Sequence, residues 1–373
     1  MDVKVEKRSY SLDLLRIICM IMIIALHFIS HGGLSDFFAK NSIMHHMIVL
    51  LRAFSICAVN VFVLISGYFM IQKNGINVKR IISIFLAILF YSWIILLLSQ
   101  SFHWVHLDFK ALLTSVFPVS YRLYWFPTCY LFLCLVSPFL NKLLNALSPK
   151  AYRLLLAILF LCFSVGNEIL AMSDPFSVSG GYSIVWFVFL YCVAGYIKIH
   201  GLRFNLSKHG WLVVYLLSAV LIFAVVTILS LLSDKIPIIA KYGLETHFAR
   251  YCSVLVTIES LSLFLYFRSL NIKNVFSKKI IGFFAPLAFG VYLIHDNANI
   301  RNYLYTEVLK LDQIPQDVIS LPILLGLICL VFLACAMIEF FRLKVFGLFE
   351  KSKWYNKAIN KLQLKLESLL TDN

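Results

Sequence analysis

Runs of roughly 18 to 22 apolar residues, separated by short polar loops, set the terms on which this chain of 373 residues can fold. That is the length a helix needs to cross the hydrocarbon core of a bilayer. Composition agrees: 61% of the residues are hydrophobic and 14% are charged, where a soluble domain carries about a quarter. A mean hydropathy of +0.88 excludes an ordinary water-soluble enzyme, a disordered chain, a collagen and a small disulfide scaffold. The sequence predicts an all-α integral membrane protein. Its bundle of about ten transmembrane helices falls near residues 12–30, 48–71, 81–100, 124–141, 152–170, 182–198, 211–232, 251–267, 280–295 and 319–341. Residues 1–341 form the transmembrane domain, and residues 342–373 form a basic, amphipathic tail expected on the inner leaflet surface.

A formal net charge of +15 raises the question of nucleic acid, but in a membrane protein the distribution of charge decides. Of the 33 Lys and Arg residues, 23 fall in the N-terminal segment, alternate loops and the tail; the other loops hold 8, and Arg16 and Arg52 lie within spans. The richer side is expected to be cytoplasmic, which places both termini there. The opposite loops are the acidic ones, with Asp36, Asp108, Asp174, Glu245, Asp296, Glu307 and Asp317 among their acids. The basic excess therefore reads as orientation and attraction to anionic membrane lipid. No basic soluble domain is present to bind nucleic acid. All nine cysteines lie in spans, where thiols pack as small apolar groups, and neither a disulfide framework nor metal-type spacing is apparent. Pro127, Pro138 and Pro286 are expected to kink their helices.

Ionisable groups at membrane depth are expensive, so each is a candidate for function. The first span holds Asp13, Arg16 and His27. Eleven positions at about 100° each bring Arg16 and His27 onto one face, about 16 Å apart along the axis, and Asp13 can pair with Arg16 from three residues away. Arg16 suits phosphate recognition, although an arginine near a helix end also snorkels to the headgroups. His27 suits proton transfer near neutral pH, or a simple bond to a neighbouring carbonyl. Glu259 must be paired or protonated, and Glu339 can reach Arg342. His45, His46, His103 and His106 are outer-loop histidines, and no metal site is expected from them.

The stretch from Ser11 through Asp13 and Arg16 to His27 resembles the opening helix of membrane acyltransferase family 3, the bacterial O-acetyltransferases that modify surface polysaccharides. Asn60-Val-Phe-Val-Leu-Ile-Ser66-Gly67-Tyr68, Trp125-Phe126 with Ser137-Pro138, and Tyr292-Leu-Ile-His295 are similar to that family's later motifs, in the same order along nearly the whole chain. The resemblance implies acyl transfer from cytoplasmic acyl-coenzyme A, a co-substrate rather than a resident cofactor, to a hydroxyl of a polysaccharide or lipid-linked glycan outside the membrane. It gives His27 the catalytic role and Arg16 a part in holding the donor. The family's basic segment after the second span often carries two arginines three residues apart. Here Lys73, Lys79 and Arg80 stand instead, so Lys79 and Arg80 are the donor-binding candidates.

Ser66, Trp125 and His295 are candidates for substrate contact. Each has a plainer alternative: close helix packing for the Ser66-Gly67 pair, an interfacial belt for Trp125, a helix end for His295. General-base catalysis by His27 and an acyl-histidine route both stay open. The expected protein is a multi-pass O-acyltransferase of the inner (plasma) membrane. The competing reading is a glycan flippase or other secondary carrier, for which spread intramembrane charge and repeat symmetry would be expected.

Overall fold

The computed structural model describes residues 8–40, 42–73, 75–104, 108–170, 173–203 and 206–371; Lys4, Lys7 and His106 lie outside them. Helix accounts for 78% of the structure, and no strand occurs among the described residues. The longer helices are α1 (Tyr10–Ser30), α2 (Ile43–Ser55), α3 (Ala58–Met70), α4 (Val78–Ser101), α5 (Trp125–Ala146), α6 (Pro149–Phe160), α7 (Ile184–His200), α8 (Lys208–Ser233), α9 (Val254–Ser269), α10 (Val275–Phe284), α11 (Ala288–His295), α12 (Ser320–Glu350) and α13 (Lys353–Thr371).

Local sequence explains where many of them begin. Ser42, Asn77, Ser148, Ser183, Ser207, Ser253 and Asn274 each stand just before a helix and accept a hydrogen bond from a backbone N–H of its first turn. Helices α2 and α3 form one interrupted span, Ile43–Met70, and α10 and α11 form another, Val275–His295. In the second, a short 3₁₀ turn at Ala285–Leu287 surrounds Pro286, the predicted kink. Pro127 does not interrupt α5, because it sits in the first turn, where a helical N–H has no partner to lose. Pro138 lies inside α5, which is unbroken from Trp125 to Ala146.

Eight helical segments among the described residues are long and apolar enough to cross a membrane. The chain is a multi-pass membrane protein. The two remaining segments anticipated from sequence are α7 and α9, shorter helices of 17 and 16 residues.

Helix α1 is the hub, packed against α2, α3, α9, α10, α11 and α12. Helices α4, α8 and α12 lie outside and expose large apolar side chains such as Leu97, Leu217 and Leu330. Lipid is as apolar as leucine, so close packing and interhelical hydrogen bonds must hold such a bundle, at about 0.6 kcal/mol per bond. Asn60 on α3 supplies several: its Nδ2 donates to the Tyr251 carbonyl (2.8 Å) and the Ser260 hydroxyl (3.2 Å), and its Oδ1 accepts from Trp186 Nε1 (2.9 Å). Gly67 lets α3 and α7 approach closely, since a Cβ there would lie 3.0 to 3.2 Å from Ala194 and Tyr191. Glu339 does pair with Arg342, through two bonds of 2.6 and 2.7 Å, and also accepts from the Tyr91 hydroxyl at 2.6 Å. All nine cysteines are free.

Candidate active site

The 3.6-residue period of α1 carries Arg16, Met20 and Ile23 down one side of a cavity of about 480 Å³, with His27 one turn further on. Ser66, Arg80, Phe126, Tyr130, Phe289 and Tyr292 contribute to its other walls. At one end stand the two arginines. Arg16 Nη1 donates to Asp13 Oδ1 at 2.7 Å, and Asp13 is shared with Arg8 at 2.6 Å. Arg16 nevertheless keeps 29% of its side chain exposed and stands over the Phe69 ring at 5.5 Å. Arg80 donates to the Tyr130 hydroxyl, which lies 3.2 Å from the Ser66 hydroxyl. The proton of Ser66 is engaged by the Phe62 carbonyl at 2.9 Å, within its own helix.

Next to the cavity, α11 and the loop after it gather a second polar group around the end of α1. His295 Nδ1 lies 2.6 Å from the Val291 carbonyl, and His295 Nε2 lies 3.0 Å from His27 Nδ1. A carbonyl only accepts, so the proton of His295 is on Nδ1. The Nε2 of that neutral ring is then an acceptor, and His27 donates to it from Nδ1–H. The lone pair of His27 is left on Nε2, the arrangement a general base requires. His295 is fully buried, whereas 13% of the His27 side chain remains accessible. Tyr292 joins the two groups: it lines the cavity, and its ring centroid is 6.0 Å from those of both histidines.

Asp296 Oδ1 lies 3.6 Å from His27 Nδ1, 3.6 Å from His31 Nε2 and 3.5 Å from Arg301 Nη1. Burial pushes the His31 pKa below its ordinary value, Arg301 adds to that, and Asp296 opposes it. Ligand atoms of His27, His31 and Asp296 lie within 4.8 Å of one another, close enough to hold a metal ion. Arg301, however, also stands 3.5 Å from His31 Nε2 and supplies a fixed positive charge to the same carboxylate.

The remaining sequence candidates fall in different places. Lys79 is 53% exposed, reaches Glu350 at 3.8 Å and does not line the cavity that its neighbour Arg80 enters. Trp125 belongs to an aromatic cluster with Tyr182, Phe187 and Tyr251 beside the cavity, and Phe126 rather than Trp125 forms the wall. His45 and His46 line a separate cavity of about 430 Å³ with Asp36, Lys40, Arg52 and Glu245. Sequence reasoning gave no role to Tyr130, His31, Asp296 or Arg301. The spacing of four between His27 and His31 was a readable signal for one of them; the others depend on contacts between distant segments.

A membrane-spanning helical bundle with a partly accessible, hydrogen-bonded histidine beside Tyr292, and two arginines in the cavity that Tyr292 lines, has the parts of a membrane acyltransferase. A family model described as an acyltransferase domain, that of acyltransferase family 3, matches residues 9–340. The chain belongs to this family and is an acyltransferase. No curated protein and no solved structure matches it.

Proposed function

We propose that the protein is an O-acyltransferase of the inner membrane that moves an acyl group, acetyl in the first instance, from cytoplasmic acyl-coenzyme A to a hydroxyl of a cell-surface or lipid-linked polysaccharide. The observation that carries this reading is the hydrogen-bond chain Val291–His295–His27, which leaves a lone pair on a partly accessible histidine beside Tyr292, a wall of the cavity that Arg16 and Arg80 also line. In this reading the polypeptide crosses the membrane ten times, with α7 and α9 as short crossings and both termini in the cytoplasm. The Arg16 end of α1 faces the cytoplasm, and the exposed apolar side chains of α13, Trp354, Leu364 and Leu369, lie on the inner leaflet.

The reaction follows from these positions. Arg16 and Arg80 hold the donor by charge-assisted contacts, and the pantetheine arm extends along the cavity toward Tyr292. His27 Nε2 takes the proton of the acceptor hydroxyl as its oxygen attacks the thioester carbonyl. The tetrahedral adduct collapses with cleavage of the carbon–sulfur bond, and the protonated histidine returns its proton to the departing thiolate. The products are an ester and free coenzyme A. His295 keeps His27 in the productive tautomer throughout, and Asp296 stabilises the cation formed midway.

The test uses purified protein in lipid nanodiscs, radiolabelled acetyl-coenzyme A and isolated surface glycan. Label and one acetyl mass increment should enter the glycan with the wild type and not with His27→Ala. Turnover of acetyl-coenzyme A with no label in any glycan hydroxyl would overturn the acceptor assignment. Reporter fusions after Asp174 and at the C-terminus should report opposite sides; the same side would break the ten-crossing topology.

A further inference from the structure

Helix α13 lies beyond residue 340, where the family match ends, yet it is docked beside the basic end of the cavity. Tyr355 and Ile359 pack on Val78 to form a small separate core. Gln363 Oε1 accepts the Val78 N–H at 3.0 Å, a first-turn donor of α4. The loop before α4 approaches just as closely, because a Cβ on Gly75 would stand 3.6 Å from Glu367. These contacts close a second cavity of about 380 Å³, lined by Lys73, Asn77, Arg80, Ser137 and Gln363 among others. Arg80 lines both cavities, so the two are neighbours across one guanidinium.

The lining is suited to phosphate. Lys73 and Arg80 are cationic, the first turn of α4 holds no acid, Asn77 and Ser137 offer neutral polar groups, and the Gln363 amide bridges the Val78 N–H and the Glu367 carboxylate. The main cavity is lined largely by apolar side chains such as Met20, Ile23, Val59, Phe62, Ile84 and Phe289 and suits an extended, mostly uncharged arm.

We propose that α13 is a wall of the donor site. With Lys73, Asn77 and Arg80 it forms a vestibule for the phosphorylated nucleotide end of the acyl donor, while the acyl-pantetheine arm occupies the main cavity. The inference rests on the donor assignment above and extends it to a segment outside the family domain.

Gln363 separates a wall from a mere prop. Gln363→Glu keeps an acceptor for the Val78 N–H, at a helix N-terminus where negative charge is favourable, but gives up the hydrogen bond Gln363 Nε2 donates to Glu367 and sets a negative charge against phosphate. Gln363→Ala removes both functions. Coenzyme A and pantetheine, which lacks the nucleotide, are each titrated calorimetrically into the full-length protein in nanodiscs. Gln363→Ala should weaken coenzyme A about 3- to 10-fold, the worth of one or two neutral hydrogen bonds. Gln363→Glu should weaken it further than Gln363→Ala does, and neither variant should move pantetheine. Equal loss for both ligands, or coenzyme A binding unchanged in Gln363→Glu, would show that α13 only supports the fold. Lowered occupancy by an anionic lipid in Gln363→Glu, with coenzyme A unaffected, would also overturn the proposal. Those results leave the donor assignment standing; a wild-type protein that binds no coenzyme A overturns both.

Discussion

Removing the partner of His27, the proposed base, tests the chemistry more sharply than removing His27 itself. His295 is buried and its Nε2 accepts the His27 Nδ1–H at 3.0 Å. In His295→Ala that donor loses its acceptor. A buried donor left unpaired costs about 1 to 3 kcal/mol, and His27 escapes the cost by moving its proton to Nε2, the nitrogen that must be free. The productive tautomer then lies above the unproductive one by about that amount, so kcat should fall about 10- to 100-fold. The donor KM should not change, because Arg16 and Arg80 line the cavity and His295 does not. His295→Gln offers a carbonyl oxygen to the same proton and should recover part of the loss. His27→Ala and His27→Gln should both lose the full base contribution, about 10² to 10⁴. The assay is the initial rate of label transfer over a range of donor concentrations in matched nanodiscs. A His295→Ala enzyme with wild-type kcat, or one impaired only in donor KM, refutes the tautomer argument. An active His27→Gln beside a dead His295→Ala would move the base to α11.

Arg16→Ala should raise the donor KM by the worth of a charge-assisted contact, about 2 to 3 kcal/mol, and Arg16→Lys should keep part of it; an unchanged KM returns Arg16 to a purely structural role with Asp13. Gly290→Ala should lower thermal stability by about 1 to 3 kcal/mol, because a Cβ there collides with the Glu339 carboxyl that Tyr91 and Arg342 hold in place; detergent melting curves indistinguishable from wild type would contradict the close α11–α12 contact. Acidification should destabilise the protein through His247, whose pKa burial pushes below its ordinary value, with Arg250 adding to the effect and the bond to the Glu168 carbonyl opposing it. The unfolded histidine takes its proton near pH 6.5 and the folded one only at lower pH. Its stabilising contribution is therefore present above about 6.5 and is lost as pH falls below that value, and His247→Gln should flatten the slope of melting temperature between about pH 6.5 and 5.

The sequence by itself determined the solvent, the secondary structure and one face of the candidate site. Long apolar runs admit few folds other than membrane helices. A regular helix repeats every 3.6 residues, so the placing of Arg16, Met20, Ile23 and His27 on one side of α1 was readable without any tertiary contact. Periodicity does not say what a face meets. Lys79 and Arg80 differ by one position and about 100°, and packing alone turned Arg80 into the cavity and Lys79 toward Glu350. Trp125 and Phe126 were likewise exchanged as wall and neighbour. The pairing of His27 with His295 joins residues 268 positions apart, and Asp296, His31 and Arg301 meet there only because α1 and α11 end at the same level of the bundle. The proton on His27 Nδ1 is set by the Val291 carbonyl, acting through His295. Hydrogen bonding of that kind is short-ranged and directional, so it belongs to the assembled helices and not to the order of residues in the chain.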